Sequence, residues 1–334
     1  MQIRITKPGV LSTIQDLGRP GYLAQAVPVS GAMDTLSHRL ANLAVGNKET
    51  DATIEFTYGN IEFLAETDLL LAFSGSGATP SVNGYALPVN KPVFIASGSL
   101  VELKSNLSGC RTYMAIAGGF NVPELMGSKS TYLQAGMGGL NGRSLQKGDV
   151  LESLMYGKIS IAILDSLNQQ SATSFPSWSV ALPAFQSFTS VIRVIPGREF
   201  TWFNGESLLN FMSETFKVSR RNNRMAYQLE GHNMQRLADN ELLSTAVCPG
   251  TIQVTGDGKL MLLMADCQST GGYPRIAQVA AVDLPLCAQL KSDDEISFEV
   301  ISHKQAEKLH LRRELDIQQL KTSIIAKYSQ NGAY

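Results

Sequence analysis

Short runs of aliphatic residues recur at close spacing, separated by Gly, Pro, Asn and Ser: Leu69–Phe73, Val93–Ile95, Leu100–Leu103, Met114–Ala117 and Ile159–Leu164. Runs of this length between turn residues read as strands. Many short strands with glycine-rich turns predict a sandwich or a barrel. Helical periodicity is convincing in two places only. Over Asp34–Val45, the residues Met33, Leu36, Leu40, Leu43 and Ala44 fall on one face. A charged tail from about His303 to Ala326 carries Leu309, Leu315, Leu320 and Ile324, and reads as a surface helix laid against the body.

The stretch Leu167–Pro183 is polar, rich in Ser and Gln, and carries proline, so it reads as a linker. Apolar alternation resumes at Val191. The pattern therefore predicts a strand-rich lobe over 1–180 with Gly-rich loops, a second over 181–302, and a helical tail over 303–334. Laying Gly59 on Gly250 aligns Gly59–Phe63 with Gly250–Val254 and Leu69–Leu71 with Leu260–Leu262. Two versions of one barrel-like unit would produce this echo, and so would the general likeness of Gly-then-strand hairpins. In the first case a cleft between lobes is a natural ligand site.

The chain has 334 residues, 44% hydrophobic and 17% charged, which suits a globular protein with a sizeable core. A net charge of −1 supplies no global field for nucleic acid or an anionic membrane, so neither is expected as a partner. No stretch approaches the ~18 apolar residues of a membrane span, and the first residues lack the apolar core of a secretory signal. Cys110, Cys248, Cys267 and Cys287 lie far apart without a CxxC pair. That spacing argues against zinc and for buried thiols in a reducing compartment, with the cytoplasm as the expected location.

The GxxxxGK[ST], GxSxG and HExxH motifs are absent. His38, His232, His303 and His310 are scattered without metal-ligand spacing, so each reads as a solvated side chain and no metal is expected. A biotin-acceptor lysine between methionines is missing, so any carrier-bound biotin would sit on another chain. Four dense polar blocks remain. The first packs Gln15, Asp16 and Arg19 among glycines and runs on through Ser30 to Asp34. It suits a loop that hydrogen-bonds a small polar ligand, although Ser30 or Asp34 would equally serve as helix caps. The second carries Gly118, Gly119, Ser128 and Arg143, where exposed backbone N–H groups can hold anionic oxygens or simply form tight turns. The third, Val218–Tyr227, sets Arg220, Arg221 and Arg224 close together, either to grip an anion or as a solvated turn. In the fourth an apolar run ends in Asp266, and Gln268, Thr270, Tyr273 and Arg275 follow around a Gly-Gly turn. A carboxylate beside amide and hydroxyl groups suits acid–base or recognition work; a turn-stapling carboxylate would look the same.

Together these blocks resemble the KipA/PxpC family, also called allophanate hydrolase subunit 2 or the biotin-dependent carboxyltransferase domain. The likeness rests on Gln15–Gly21, Pro28–Asp34, Gly127–Ser128 with Ser130–Thr131, Gly142–Arg143, Asn223–Met225 and Thr270–Pro274, and runs from residue 3 to about 298. It implies a mainly β protein of two cyclophilin-like β-barrel lobes with a few short helices and a C-terminal helix. It also implies the C-type component of an ATP-dependent 5-oxoprolinase, opening the lactam to glutamate with KipI/PxpB-like and PxpA-like partner subunits, and ATP used with magnesium in the complex. Under that resemblance Asp266 and Gln268 would orient the lactam, while Arg19, Arg224 and Arg275 would meet a carboxylate or phosphate. Two alternatives stay open: carboxyl transfer from carboxybiotin to a urea- or amide-like acceptor, and a regulatory binding protein of the KipI–KipA type. Ser269, Ala226 and Thr255 depart from the family's usual residues without removing a charge.

Overall fold

A computed structural model describes residues 1–180, 190–238 and 241–329. The end of the polar stretch at 181–183, the expected lobe boundary and the last residues of the tail lie outside the described residues. The chain divides into two compact units: Met1–Gly18, Asp34–Phe185 and Leu315–Tyr334 form the first, and Arg19–Met33 with Gln186–Glu314 the second. The fold is mainly β.

The first unit is built from two six-stranded sheets. One runs in the order Val150–Glu152, Gln2–Pro8, Ile61–Ala65, Leu100–Ser105, Ala78–Val82, Tyr85–Ala86. The other runs Thr173–Ser174, Pro92–Ile95, Leu69–Gly75, Arg111–Ile116, Thr53–Thr57, Leu11–Gln15. Ile3, Ile5, Phe63 and Leu103 of the first sheet meet Ile14, Phe56, Phe73 and Met114 of the second in one core. Strict alternation puts every second residue of the second sheet on its other face. Helix α1 (Thr35–Ala44) packs against that sheet's strands Leu69–Gly75 and Arg111–Ile116.

The second unit is a closed seven-stranded barrel in the order Val191–Pro196, Arg275–Val279, Thr251–Val254, Leu260–Leu263, Ala226–Glu230, Phe216–Asn222, Glu295–Val300. The last strand returns parallel to the first, from Val191↔Ser297 to Val194↔Val300, and closes the ring. Phe211, on the helix Gly205–Ser213, stacks on Phe298 with centroids 4.7 Å apart, and Phe216 completes the cluster. The sequence echo proves to be local: Thr251–Val254 and Leu260–Leu263 pair directly. Their counterparts Ile61–Ala65 and Leu69–Gly75 belong to different sheets. A Gly-then-strand signal records a turn and a run, not the partner each run will find.

Two expectations change. Ile159–Leu164 lies in a helix, α2 (Lys158–Asp165), not a strand. Ser160 and Ile163, three apart, are its buried residues, and Ser160 Oγ donates to Val45 O at 2.7 Å. A short run of Ile, Ser and Ala has no period of its own strong enough to resist this packing. The tail is a helix as expected, His303–Ser329, but its buried positions are Ala306, Ile317, Ile324 and Tyr328, while Leu315 is exposed. Tyr328 accepts from Trp178 Nε1 at 2.8 Å.

Candidate functional site

In the second unit, the fourth block and one arginine of the third come together. Asn223 Oδ1 accepts from Met225 N and Ala226 N, a tight turn that points Arg224 inward while Arg220 stays in solvent beside Asp293. The end of the Leu260–Leu263 strand runs on through Met264 N to Met225 O and Asp266 N to Arg224 O, both 2.9 Å. This fixes Asp266 opposite Arg224. Arg224 Nε donates to Asp266 Oδ2 at 2.8 Å and Nη2 to Oδ1 at 3.1 Å. Ser30 Oγ adds a third bond to Oδ1 at 2.6 Å, and Arg224 Nη2 also reaches Gly31 O. Ser30 and Gly31 both have left-handed backbones, at φ 57° and 90°, which for serine is a strained conformation held by its surroundings. All three side chains are buried. Asp266 is thus a paired carboxylate that holds the Arg19–Met33 segment, and the choice between cap and contact is settled for both residues: Asp34 caps α1 through Ser37 N, and Ser30 binds Asp266.

Around this cluster, Gln268 is half-buried and its Oε1 is shielded without a hydrogen-bond partner. Thr270 and Tyr273 are exposed. Tyr273 lines a cavity of about 400 Å³ with Gly272, Pro274, Arg236 and Leu242. Arg275 forms a bidentate pair with Glu199, at 2.8 and 2.7 Å, and this contact holds the Glu199 carboxyl below its usual range. Arg19 is fully buried, and its amide donates to Val29 O at 2.8 Å, closing the base of its loop.

The anion-holding geometry expected of the second block exists in the first unit, and its anion is the chain's own. Asp16 accepts from Gly18 N (2.7 Å), Ser128 Oγ (2.6 Å), Lys129 N (2.6 Å) and Ser130 Oγ. These donors are taken, so the loop does not fit the phosphates of ATP. Gly118 N donates to Asn47 Oδ1 and Gly119 N to Ile116 O, and both glycines are left-handed. A Cβ at Gly118 would stand 2.4 Å from Leu154 O, so the glycine answers to packing. Arg143 is bidentate to Asp149 at 2.7 and 2.8 Å. Gln15 is fully buried, its Nε2 donating to Thr13 Oγ1 and Thr131 O.

Several buried polar residues escape a reading by motif. Tyr113 OH donates to Glu55 Oε2 at 2.6 Å and accepts from Asp34 N at 2.7 Å. Burial, then the charge of Glu55, push its phenol well above the usual range. Arg111 lies 3.7 Å from Glu55. His38, expected to be solvated, is fully buried between Thr53 Oγ1 and Glu49 O, and burial lowers it to about 4. Glu55 sits in Thr-Ile-Glu-Phe-Thr, where a polar residue alternating with apolar ones reads as a solvent-facing strand position, so only its burial distinguishes it. Of the cysteines, Cys110, Cys267 and Cys287 are buried as expected and Cys248 is exposed. No group of three or more His, Cys, Asp or Glu is placed to hold a metal among the described residues.

A two-sheet unit and a closed barrel, each with a buried carboxylate that pins a polar loop, define a mainly β protein. The chain belongs to the carboxyltransferase domain, subdomain A and B, family, whose model matches residues 25–300. It is 35% identical to the C-type subunit of 5-oxoprolinase from Escherichia coli (strain K12) over 318 residues, covering 95% of this chain and 97% of that protein. The protein of the same name from Haemophilus influenzae is 30% identical over 326 residues, covering 95% and 96%. The crystal structure of the K. lactis urea amidolyase superposes with a TM-score of 0.86 at 28% identity, covering 96% of this chain but 20% of that one. The chain therefore spans about a fifth of that larger protein.

Proposed function

We propose that this chain is the C-type subunit of a 5-oxoprolinase, which opens the 5-oxoproline lactam to L-glutamate together with KipI/PxpB-like and PxpA-like partners. The observation that carries this reading is the end-to-end match to the E. coli 5-oxoprolinase component, 95% of one chain on 97% of the other. In this reading Asp266 is a positioning residue: its carboxylate is engaged by Arg224 and Ser30, and it orders the Ser30–Gly31 turn. Arg275, held by Glu199, likewise supports the Thr270–Arg275 turn. ATP, with magnesium, is used by the complex, and the Gly-rich loop that Asp16 fills is not the place where its phosphates would bind. Opening a lactam adds water across the C–N bond and develops negative charge on the carbonyl oxygen, which fixed donors stabilise.

The test is reconstitution. Glutamate release from 5-oxoproline with ATP is measured with all three proteins present and with this chain omitted. Release is expected only in its presence; undiminished release without it overturns the reading. A second reading, carboxyl transfer to a urea-type acceptor, is favoured by the likeness to the K. lactis urea amidolyase. It predicts that urea-dependent decarboxylation of a carboxybiotin carrier requires this chain.

A further inference from the structure

Helix α2 (Lys158–Asp165) breaks two local rules, and both departures lie on its outer face. Its first residue is a lysine and its last an aspartate, and its N-cap, Gly157, offers no side chain. The helix dipole favours the reverse, an anion in the first turn and a cation in the last. The apolar positions are misplaced as well. The helix buries Ser160 beside Ile163, while Ile161 is 45% exposed. Ile159, Ile161, Ala162, Ile163 and Leu164 make most of this eight-residue helix apolar. A helix apolar on nearly every side is ordinarily covered on every side.

Lys158, Ile161, Ala162 and Asp165 stand at i, i+3, i+4 and i+7, which sets them in one stripe. The stripe borders a groove of about 640 Å³ that Tyr328 and Ser329, at the end of the C-terminal helix, also line. Apolar surface continues along the stretch that enters α2, where Leu154 and Tyr156 are exposed and Met155 is 96% exposed, and onto Ile325 of the C-terminal helix. A contiguous patch of this kind marks a contact with another protein. The charges say which. Lys158 and Asp165 form no ion pair among the described residues, and they lie at opposite ends of the stripe, about 10 Å apart. A two-fold axis between Ile161 and Ala162 lays the helix antiparallel on a copy of itself. That operation sets Lys158 of each copy against Asp165 of the other, and Ile161 against Ala162. Such reciprocity is what a two-fold interface requires, and a second copy carries the matching pattern already.

We infer that two copies of this chain associate through α2, as an antiparallel helix pair about a two-fold axis. A stable interface takes about 800 Å² from each partner, more than one face of a two-turn helix offers. Leu154, Met155, Tyr156 and Ile325 extend the patch beyond the helix. No residue of the Ser30–Arg224–Asp266 cluster takes part, and the inference does not depend on the 5-oxoprolinase reading.

The test is sedimentation velocity of the full chain alone over a concentration series, in which the unaltered chain should pass from monomer to dimer. Lys158→Glu and Asp165→Lys each turn both ion pairs of the dimer into like-charge contacts, and each should raise the dimer Kd about tenfold. Each also gives a helix end the charge its dipole favours, so neither should lower the helix content read by circular dichroism. Lys158→Glu combined with Asp165→Lys exchanges the pairs and should restore the Kd. An equimolar mixture of the two single variants should likewise form a mixed dimer, which a contact elsewhere on the chain would not give. Ile161→Glu, at the centre, should leave the chain monomeric throughout. A chain that stays monomeric at every concentration overturns the inference, and so does a dimer whose Kd none of these changes moves. It is overturned equally if the chain alone is monomeric and Ile161→Glu abolishes binding to the KipI/PxpB-like subunit, for the groove then belongs to that partner.

Discussion

Asp16 and Asp266 are both buried carboxylates that pin a glycine-containing loop, one in each unit, and they are neutralised in opposite ways. Every donor to Asp16 among the described residues is uncharged: the amides of Gly18 and Lys129 and the hydroxyls of Ser128 and Ser130. Lys129 lends its backbone and sends its ammonium to Phe120 O instead. Asp266 is met by a buried guanidinium and one hydroxyl. The neutral nest is made from local backbone, so its cost of assembly is that of a turn, and its donors can rotate or hydrate when the charge is removed. The ion pair commits two buried charges to each other, and removing one leaves the other without compensation.

The largest test of this contrast is Asp266→Ala. It should lower unfolding stability by about 3–5 kcal/mol, because Arg224 stays buried without its carboxylate, and the added change Arg224→Met should recover most of that loss. Matched urea denaturation curves decide it; a loss under about 1 kcal/mol would mean that Arg224 escapes to water and the contrast fails. The first unit should show its own charge sensitivity through His38. Burial holds His38 at about 4, below its ordinary 6.5, so the folded state prefers the neutral ring. Its contribution is complete above pH 6.5 and is lost as pH falls from there towards 4. The loss should approach about 3 kcal/mol, and it should be absent in His38→Asn measured across the same pH range. Smallest is Asp16→Asn, expected to cost about 2 kcal/mol in the same denaturation assay, since hydrogen bonds to a charge weaken but no buried cation is stranded. A cost for Asp16→Asn equal to that for Asp266→Ala would erase the distinction between the two loops.

The contrast also shows which signals were legible in advance. Both aspartates stand out in the chain because they lie among glycines, serines and arginines, and the strand-rich character follows from short aliphatic runs between turn residues. Their roles were not legible. Asp16 looks like a ligand contact until Ser128 and Ser130, more than a hundred residues away in sequence, are seen to surround it. Arg275 looks like an anion grip until Glu199, an acid that no motif marks, is found paired to it. Glu55, Tyr113 and His38 carried no motif at all. A polar side chain inside an alternating strand is the same in sequence whether its face meets water or protein.

By itself the sequence determined what local rules control: a mainly β chain, the helix opened by Asp34, the C-terminal helix, and family membership through blocks preserved in order. Turn residues and period act within a few positions of themselves, so they are readable from the string. Tertiary structure alone decided that Ile159–Leu164 coils into a helix, that the barrel closes through a parallel pair, and that Ser30 meets Asp266 across 236 positions. Those outcomes depend on which distant surfaces bury each other, and burial is a property of the assembled chain.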